Sequence, residues 1–308
     1  MSTIEVLDET GRAPRLADEI STILHTALPT VKAITRMNPP EVIRIRLVSP
    51  RVWRTETSAY IERKVSGSFA RSVPSEPEKA EARQLQHMYR ASMAVSWIMC
   101  NARTVTDPAG EPQTLIAPRA LHHTGLRHHP GALYRMVVHE SVHQVQMATS
   151  RGTVVPIPFL PRDLDTPERA VVQLMEGHAE WAAQQTAHRL RDQAPTADGP
   201  LRRSFRYRRQ DALIRRLARW AVDGAQSLAE TETETPAPAP APAPALVVGN
   251  GGLEDIGQAL HRDGIRFVEA AVEALGVDTF NRIWHTPDLV PLAGELTAPE
   301  RWFSRAQA

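Results

Sequence analysis

The stretch "RMVVHESVHQVQM", residues 135–147, decides how this chain is interpreted, because it combines helical periodicity with the pattern His-Glu-x-x-His. Residues four apart lie on one face of a helix, about 5–6 Å from each other, so His139 and His143 can present two imidazole nitrogens to one metal ion. Glu140 lies one position further round, where a general base can take a proton from a water activated by that ion. Apolar residues recur at helical spacing around the motif and predict an apolar face: Leu133, Val137, Val138, Val142 and Val145.

A second candidate helix supplies the acidic residue that the site still needs. It begins at Thr166, a suitable N-cap, and Pro167, since proline is tolerated at the first helical position. Its segment "LMEGHAEW" carries Glu176, which predicts a His2Glu catalytic Zn2+ site with the fourth position left for water. Gly177 weakens a helix, so its presence beside the predicted ligand indicates a close approach between this helix and the motif helix.

Several polar residues near the predicted ligands are open to more than one interpretation. Glu180 lies one turn beyond Glu176 and is either the metal ligand itself or a partner that orients a ligating histidine. His178 and Gln146 are further candidates for orienting a ligand or stabilising an oxyanion. The histidines of "LHHTGLRHH", residues 121–129, either lean over the site or belong to a polar loop. Histidines on helices are usually ordinary surface or core residues, and that is the alternative for all of them.

Composition argues against several classes of function. The chain has 36 basic and 35 acidic side chains and a net charge of +1, which gives no overall field for nucleic acid or an anionic membrane. Its one cysteine, Cys100, cannot form an intramolecular disulfide and lies in an apolar run typical of a buried position. The sequence shows neither a signal peptide nor eighteen uninterrupted apolar residues, so it predicts a cytoplasmic protein without a transmembrane segment.

The rest of the chain predicts further helices and a few strands. An amphipathic helix over 15–28 should be broken by Pro29. "EVIRIRLV", residues 41–48, alternates apolar and charged side chains, as a half-buried strand does. Ser75 and Glu78 form a capping-box pattern that predicts the start of a long helix. "TVTDPAGEPQTLIAP" should form two short strands around a turn.

Two motifs resemble those of a known family. One is the C-terminal stretch "GIRFVEAAVEALGVDTFNRIWHTPDLVPLAGELTAPERW", residues 264–302. Together with the histidine motif it resembles the actinobacterial DUF2342-type zincin-like family, zinc-dependent metalloproteases that are in some cases associated with coenzyme F420 biosynthesis. The family's other motif, His-Glu-x-x-His-x-x-Gln-Phe followed by Glu-Gly-His-Ala-Asp/Glu, is matched by His139, Glu140, His143, Gln146, Glu176, Gly177, His178, Ala179 and Glu180.

The resemblance extends over about residues 113–304 and implies a fold and a set of roles. It implies a mainly helical α+β zincin fold, with a small sheet, active-site helices and a sheet edge before the motif helix where an extended substrate aligns. It also implies Zn2+ as cofactor. The implied ligands are His139, His143 and Glu176, and the implied general base is Glu140. The chain departs from the family at Met147, which replaces a usual Phe, and at His261, where a Tyr is expected and which leaves the oxyanion-stabilising side chain open.

The predicted organisation has four parts. Residues 1–74 form an N-terminal region of uncertain role packed on the core, and residues 75–230 form the catalytic core. Residues 231–251, rich in Thr and Glu and then in Pro and Ala, cannot form a core and predict an extended spacer. The resemblance implies that this spacer is an insertion, so that residues 252–308 fold back to complete the catalytic domain.

These observations favour a zinc metallopeptidase that hydrolyses a peptide or other amide bond, and they predict no nucleic-acid partner. Two alternatives remain open. One is a zinc hydrolase acting on a small-molecule or biosynthetic amide or ester. The other is a catalytically silent zinc-binding protein, which should have a filled fourth coordination position. The basic residues 202–219 either contact an acidic partner or form a solvated helix face.

Overall fold

The strands form one mixed four-stranded sheet. In this computed structural model its strands are β1 (Thr3–Asp8), β2 (Val42–Leu47), β3 (Ala102–Thr106) and β4 (Pro112–Ile116), arranged in the order β1-β2-β4-β3. Strand β2 is parallel to both neighbours, whereas β3 and β4 form an antiparallel pair joined by a short turn. The strand predicted at 41–48 and the two strands predicted around the Pro-Ala-Gly turn are confirmed, and β1 adds a strand that was not predicted.

Helices make up most of the remaining described chain, and the predicted mainly helical α+β fold is confirmed. The structure describes residues 2–69, 75–151, 154, 167–196, 199–216 and 253–307. The helices are α1 (Pro14–Thr35), α2 (Pro50–Phe69), α3 (Glu76–Ser96), α4 (Pro118–Thr124), α5 (Pro130–Ser150), α6 (Pro167–Arg189), α7 (205–216), α8 (Leu253–Leu275), α9 (Val277–Asn281), α10 (Ala293–Thr297) and α11 (Pro299–Gln307). No described helix combines the length and the apolar composition that crossing a bilayer requires.

The predicted break at Pro29 is wrong, because α1 continues through this residue to Thr35. Proline inside a helix costs about 3 kcal/mol. Leu24 precedes Pro29 and Val31 follows it, and both side chains are fully buried. Burying an aliphatic side chain of this size contributes about 1.5–3 kcal/mol. The apolar face on both sides of the proline therefore outweighs the lost hydrogen bond.

The motif helix α5 is buried on two sides. Leu133 and Val137 pack in a cluster with the apolar residues of β2 and the early part of α1, including Ile43 and Ile45. The next set, Val138, Val142 and Val145, packs instead against α6 and α8. The predicted single apolar face is therefore divided between two layers, since α5 lies between the sheet and the other helices.

Helices α6 and α8 cross at two glycines. A Cβ atom added to Gly264 would overlap the carbonyl oxygen of Gln173 and lie 2.9 Å from the Cα of Gly177. A Cβ added to Gly177 would in turn overlap the backbone of Gly264. The sequence predicted that Gly177 marks a close approach of α6 to the motif helix α5. The structure corrects the partner, because the backbone of α6 is in direct contact with α8 at this glycine.

Some predicted features fall on parts of the chain that the structure does not describe. These are the Thr166 cap, the proline-containing loop before α6 and the spacer at 231–251. Helix α3 begins where the capping-box pattern predicts, and the carbonyl of Ser75 accepts a hydrogen bond from the N–H of Lys79. The side chain of Glu78 lies outside the described set.

Candidate metal centre

Two histidines of α5 and one glutamate of α6 converge on a common point. His139 and His143 direct their Nε2 atoms at the same oxygen of Glu176, Oε2, at 3.2 and 3.6 Å. One ligand atom from each residue lies within 4.8 Å of the others. The rings of His139 and His143 are nearly perpendicular, with centroids 4.6 Å apart. The residues predicted as ligands from two separate segments therefore lie together.

The two distances from the histidine Nε2 atoms to Glu176 Oε2 fit a tetrahedral ion. With zinc to ligand bonds of about 2.0–2.1 Å, two ligand atoms of a tetrahedral site lie about 3.3 Å apart. The separations of 3.2 and 3.6 Å bracket that value. Side-chain exposure is 12% for His139, 9% for His143 and 32% for Glu176, so the centre opens toward solvent at the glutamate. The donor set suits a divalent metal of the zinc type.

The second ring nitrogen of His139 is held by an ion-pair network. Its Nδ1 lies 3.4 Å from Glu180 Oε2, and Arg135 and Gln184 contact the other oxygen of Glu180. Burial alone would lower the pKa of His139, but its hydrogen bonds with Glu176 and Glu180 raise that pKa to about 10. Burial likewise opposes ionisation of Glu180, yet His139 and Arg135 lower its pKa to about 2. Glu180 is thus an ionised partner of His139 within the protein.

The second ring nitrogen of His143 is held by an amide. Gln146 Oε1 lies 2.8 Å from His143 Nδ1, while Gln146 Nε2 donates to the carbonyl of Met175 at 2.9 Å. The contact with Met175 fixes the orientation of the amide, so His143 donates from Nδ1 and keeps the Nε2 lone pair for an ion. Gln146 Nε2 also lies 3.0 Å from Nδ1 of His178.

His178 is a core residue and not a ligand of this centre. Its side chain is fully buried, with Trp181, Phe280 and Trp284 around it at centroid distances of 5.2–5.7 Å. Burial, with a further contribution from His143, lowers the pKa of His178 to about 3, so the ring is neutral. Since Gln146 donates to Nδ1, the proton of His178 is on Nε2. The residue thereby links Gln146 to the aromatic packing of the C-terminal segment.

Glu140 faces the sheet. Its carboxylate oxygen Oε2 accepts a hydrogen bond from the hydroxyl of Thr104 on β3 at 2.6 Å, and the residue is only 9% exposed. The predicted base is therefore bound by a strand of the sheet, whereas Glu176 reaches the two histidines from α6. The base and the third ligand are held by different layers of the fold.

The remaining predicted candidates lie elsewhere or outside the described set. His122, His123 and His128 pack on one another, and His123 also contacts Ser204 and the ring of Trp97. His261 belongs to α8, but its side chain is not among those the structure describes. His122, His123 and His128 therefore form a cluster with its own partners, whereas His129 caps α5 by accepting a hydrogen bond from the N–H of Ala132.

Sequence reasoning missed two residues that support the centre. Arg135 pairs with Glu180 and lies four residues before His139, so helical spacing alone would have placed it on the same face of α5. Thr104 binds Glu140 from a strand 36 positions away, and no local spacing rule connects the two. Arg135 could therefore have been found from its helical spacing, whereas nothing in the local sequence indicated Thr104.

We expect Gln146→Leu to weaken the centre without changing any direct metal ligand. The substitution leaves the Nδ1–H of His143 and the Nδ1 of His178 without the amide that binds them, which should lower the free energy of unfolding by about 1–3 kcal/mol. Zinc affinity should fall by about 10–100-fold, as is typical when a residue that orients a ligating histidine is lost. Urea unfolding of the metal-free chain and zinc titration against a competing chelator measure the two effects separately. Wild-type zinc affinity in the variant would contradict the orienting role.

Comparison with known proteins connects the centre to a class of enzymes. A family model described as zincin-like metallopeptidase matches residues 211–303. This part of the chain is similar to zincin-like metallopeptidases. The matched segment begins beyond His139, His143 and Glu176, so the metal centre is a separate observation that points to the same chemistry. The two together support a zinc-dependent hydrolase.

A solved structure shares the overall fold. The crystal structure of a "putative hydrolase with a novel fold" from Chloroflexus aurantiacus has 14% sequence identity and a TM-score of 0.55, with 96% of this chain and 91% of that chain covered. At this level of identity the likeness shows the fold alone. No curated protein matches the chain.

Proposed function

We propose that the protein is a zinc-dependent metallopeptidase that hydrolyses amide bonds with Glu140 as general base. The observation that carries the proposal is the convergence of His139, His143 and Glu176 at distances that fit one tetrahedral ion. Among the described residues these three form the ligand group, whereas structural zinc sites use four protein ligands. Three protein ligands leave a position for the reaction, which favours catalysis over a purely structural role.

Each residue has a distinct part in this proposal. His139, His143 and Glu176 hold the ion, which supplies Lewis-acid polarisation of the substrate carbonyl and a lower pKa for a bound water. Glu140 takes a proton from the attacking water and returns it to the leaving amine. Glu180 and Gln146 fix the two imidazole rings by binding their Nδ1 atoms. The partial exposure of Glu176 gives the substrate access to the centre.

An experiment on the purified chain tests the proposal directly. The chain is stripped with chelator, reloaded with Zn2+, and incubated with a synthetic peptide library that is read by mass spectrometry, alongside a panel of small amides and esters. We expect peptide cleavage that disappears on stripping and returns with Zn2+. Hydrolysis confined to the small amides and esters would replace the peptidase with a small-molecule hydrolase. Zinc-dependent stability without hydrolysis of either set would identify a silent zinc protein.

We also propose that the protein belongs to the actinobacterial DUF2342-type group and is located in the cytoplasm. In its catalytic domain, residues 252–308 would complete the core formed by residues 75–230, with the spacer between them. The packing of α8 against α6 at Gly177 and Gly264 supports the last of these. His261, which occupies the place where the family resemblance leads us to expect a Tyr, is proposed as a candidate for stabilising the oxyanion.

A further inference from the structure

A chain of buried hydrogen bonds leads from the backbone of β2 to the carboxylate of Glu140. It starts at Gln144, whose side chain pairs with both polar groups of the Arg44 backbone. The Arg44 N–H donates to Gln144 Oε1 at 3.1 Å, and Gln144 Nε2 donates to the Arg44 carbonyl at 3.0 Å. These two contacts define which end of the amide carries the NH2 group. The same Nε2 donates to Thr114 Oγ1 at 2.9 Å, so the chain begins with a donor of fixed orientation.

Two threonine hydroxyls continue the chain in a single direction. Thr104 and Thr114 are directly opposite each other on β3 and β4, with their Oγ1 atoms 2.8 Å apart. Thr104 Oγ1 lies 2.6 Å from Glu140 Oε2 and 3.3 Å from the Glu140 carbonyl oxygen. Its one hydroxyl hydrogen therefore goes to Glu140, with the shorter contact to the carboxylate, because a general base accepts at its carboxylate oxygens. Thr104 must then accept from Thr114, which itself accepts from Gln144. Every hydrogen in the chain therefore points toward Glu140.

Burial makes this chain a rigid support. Thr114 and Gln144 are fully buried, and Thr104 and Glu140 are 8% and 9% exposed. Water has little access to compete for these groups, and hydrogen bonds in such surroundings are strengthened by their neighbours. A glutamate side chain has three rotatable bonds, so a base without such support would sample many unproductive positions.

We propose that Thr104 is a positioning residue for Glu140: together with Thr114 and Gln144 it holds Oε2 in place, so that proton transfer takes place at Oε1. The inference rests on the proposed function of Glu140 as general base. Gln144 follows Glu140 by one helical turn, so one face of α5 carries both the base and the amide that starts the chain. The sheet thereby orients the base, whereas Glu180 and Gln146 orient the ligands.

Kinetics on a peptide selected from the library tests the functional consequence. Thr104→Val removes the hydroxyl at nearly constant volume, and we expect kcat to fall about 10–100-fold with KM and zinc content unchanged. Thr104→Ser keeps the hydroxyl and should restore most of the lost kcat. Thr57→Val is the matched control, because Thr57 is fully buried on α2 and its hydroxyl has no hydrogen-bond partner among the described residues. Wild-type kcat in Thr104→Val, or no rescue in Thr104→Ser, would overturn the proposal.

Infrared difference spectroscopy tests the same contact without turnover. Subtracting Glu140→Gln from wild type isolates the carboxylate stretching band of Glu140, and the same subtraction is made in the Thr104→Val and Thr57→Val backgrounds. We expect the band to shift in the Thr104→Val background and not in the Thr57→Val background, since a carboxylate band responds to the loss of a strong hydrogen bond. An unshifted band in Thr104→Val would overturn the proposal that this series of hydrogen bonds supports Glu140. If wild type cleaves no peptide or small amide, the proposed function fails, and the infrared result still decides whether Thr104 holds Glu140.

Discussion

Glu140→Gln is expected to retain wild-type zinc content and to lose nearly all hydrolysis, with kcat lowered by about 10²–10⁴-fold. Glutamine has almost the same shape, and its amide oxygen can still accept the hydrogen bond from Thr104, so the fold and the ligand set should be unaffected. What the amide cannot do is take a proton from water. The loss should therefore appear in kcat, with zinc binding unaffected.

Two further variants make the Glu140→Gln result specific. Glu273→Gln changes an exposed glutamate on α8 and should leave both hydrolysis and zinc binding unaltered. His143→Ala removes a ligand and should lose zinc together with activity. Zinc is measured by elemental analysis after gel filtration, and hydrolysis is measured on the selected peptide. Substantial hydrolysis by Glu140→Gln would exclude Glu140 as the base.

Gly264→Ala is expected to destabilise the protein by at least about 3 kcal/mol, because the added methyl group has no space. The new Cβ would overlap the carbonyl oxygen of Gln173 and lie 2.9 Å from the Cα of Gly177. Both obstacles are backbone atoms of α6, so no rotation of a side chain can relieve the contact. The helices must separate, and the apolar residues between them lose part of their packing.

A second glycine, in more open surroundings, provides a control for which alanine should raise the stability. Gly67 lies in helix α2, and a Cβ added there meets no atom of the described residues within 4 Å. Gly67→Ala should therefore stabilise the chain by about 0.5–1 kcal/mol through the better helix propensity of alanine. Urea unfolding followed by circular dichroism compares the two variants with wild type. Equal stability of Gly264→Ala and wild type would contradict the backbone contact between α6 and α8.

The sequence predicted the three candidate metal ligands better than it predicted the residues that hold Glu140. His139 and His143 are four residues apart on one helix, so their convergence follows from helical geometry. Glu176 required only that a second helix pack against the first. The glycine beside it suggested this packing, but Gly177 in fact contacts α8. The contacts of Glu140 with Thr104 and of Gln144 with Arg44 depend on how strands from distant segments align, and local patterns do not contain that information.

The errors in the predicted fold have the same origin. Pro29 signals a helix break locally, but α1 continues because tertiary burial on both sides of the proline is worth more than one hydrogen bond. In strand β1, Ile4 and Val6 flank the charged Glu5, but Leu7 breaks the alternation. The local signal is therefore weak, and the segment becomes a strand by pairing with β2. In both cases packing with a distant segment decides the outcome.

The crossing of α6 and α8 sets the order in which parts of the protein can fold during synthesis. Gly177 and Gly264 belong to distant parts of the chain, and Asn281 binds the carbonyl of Thr35 across 246 positions. Contacts of such long sequence separation form late, since loop closure must precede them. We therefore expect a nascent chain to contain the base and both histidines well before Glu176 reaches its final place. Hydrolytic competence would then appear only after the C-terminal helices have left the ribosome and docked.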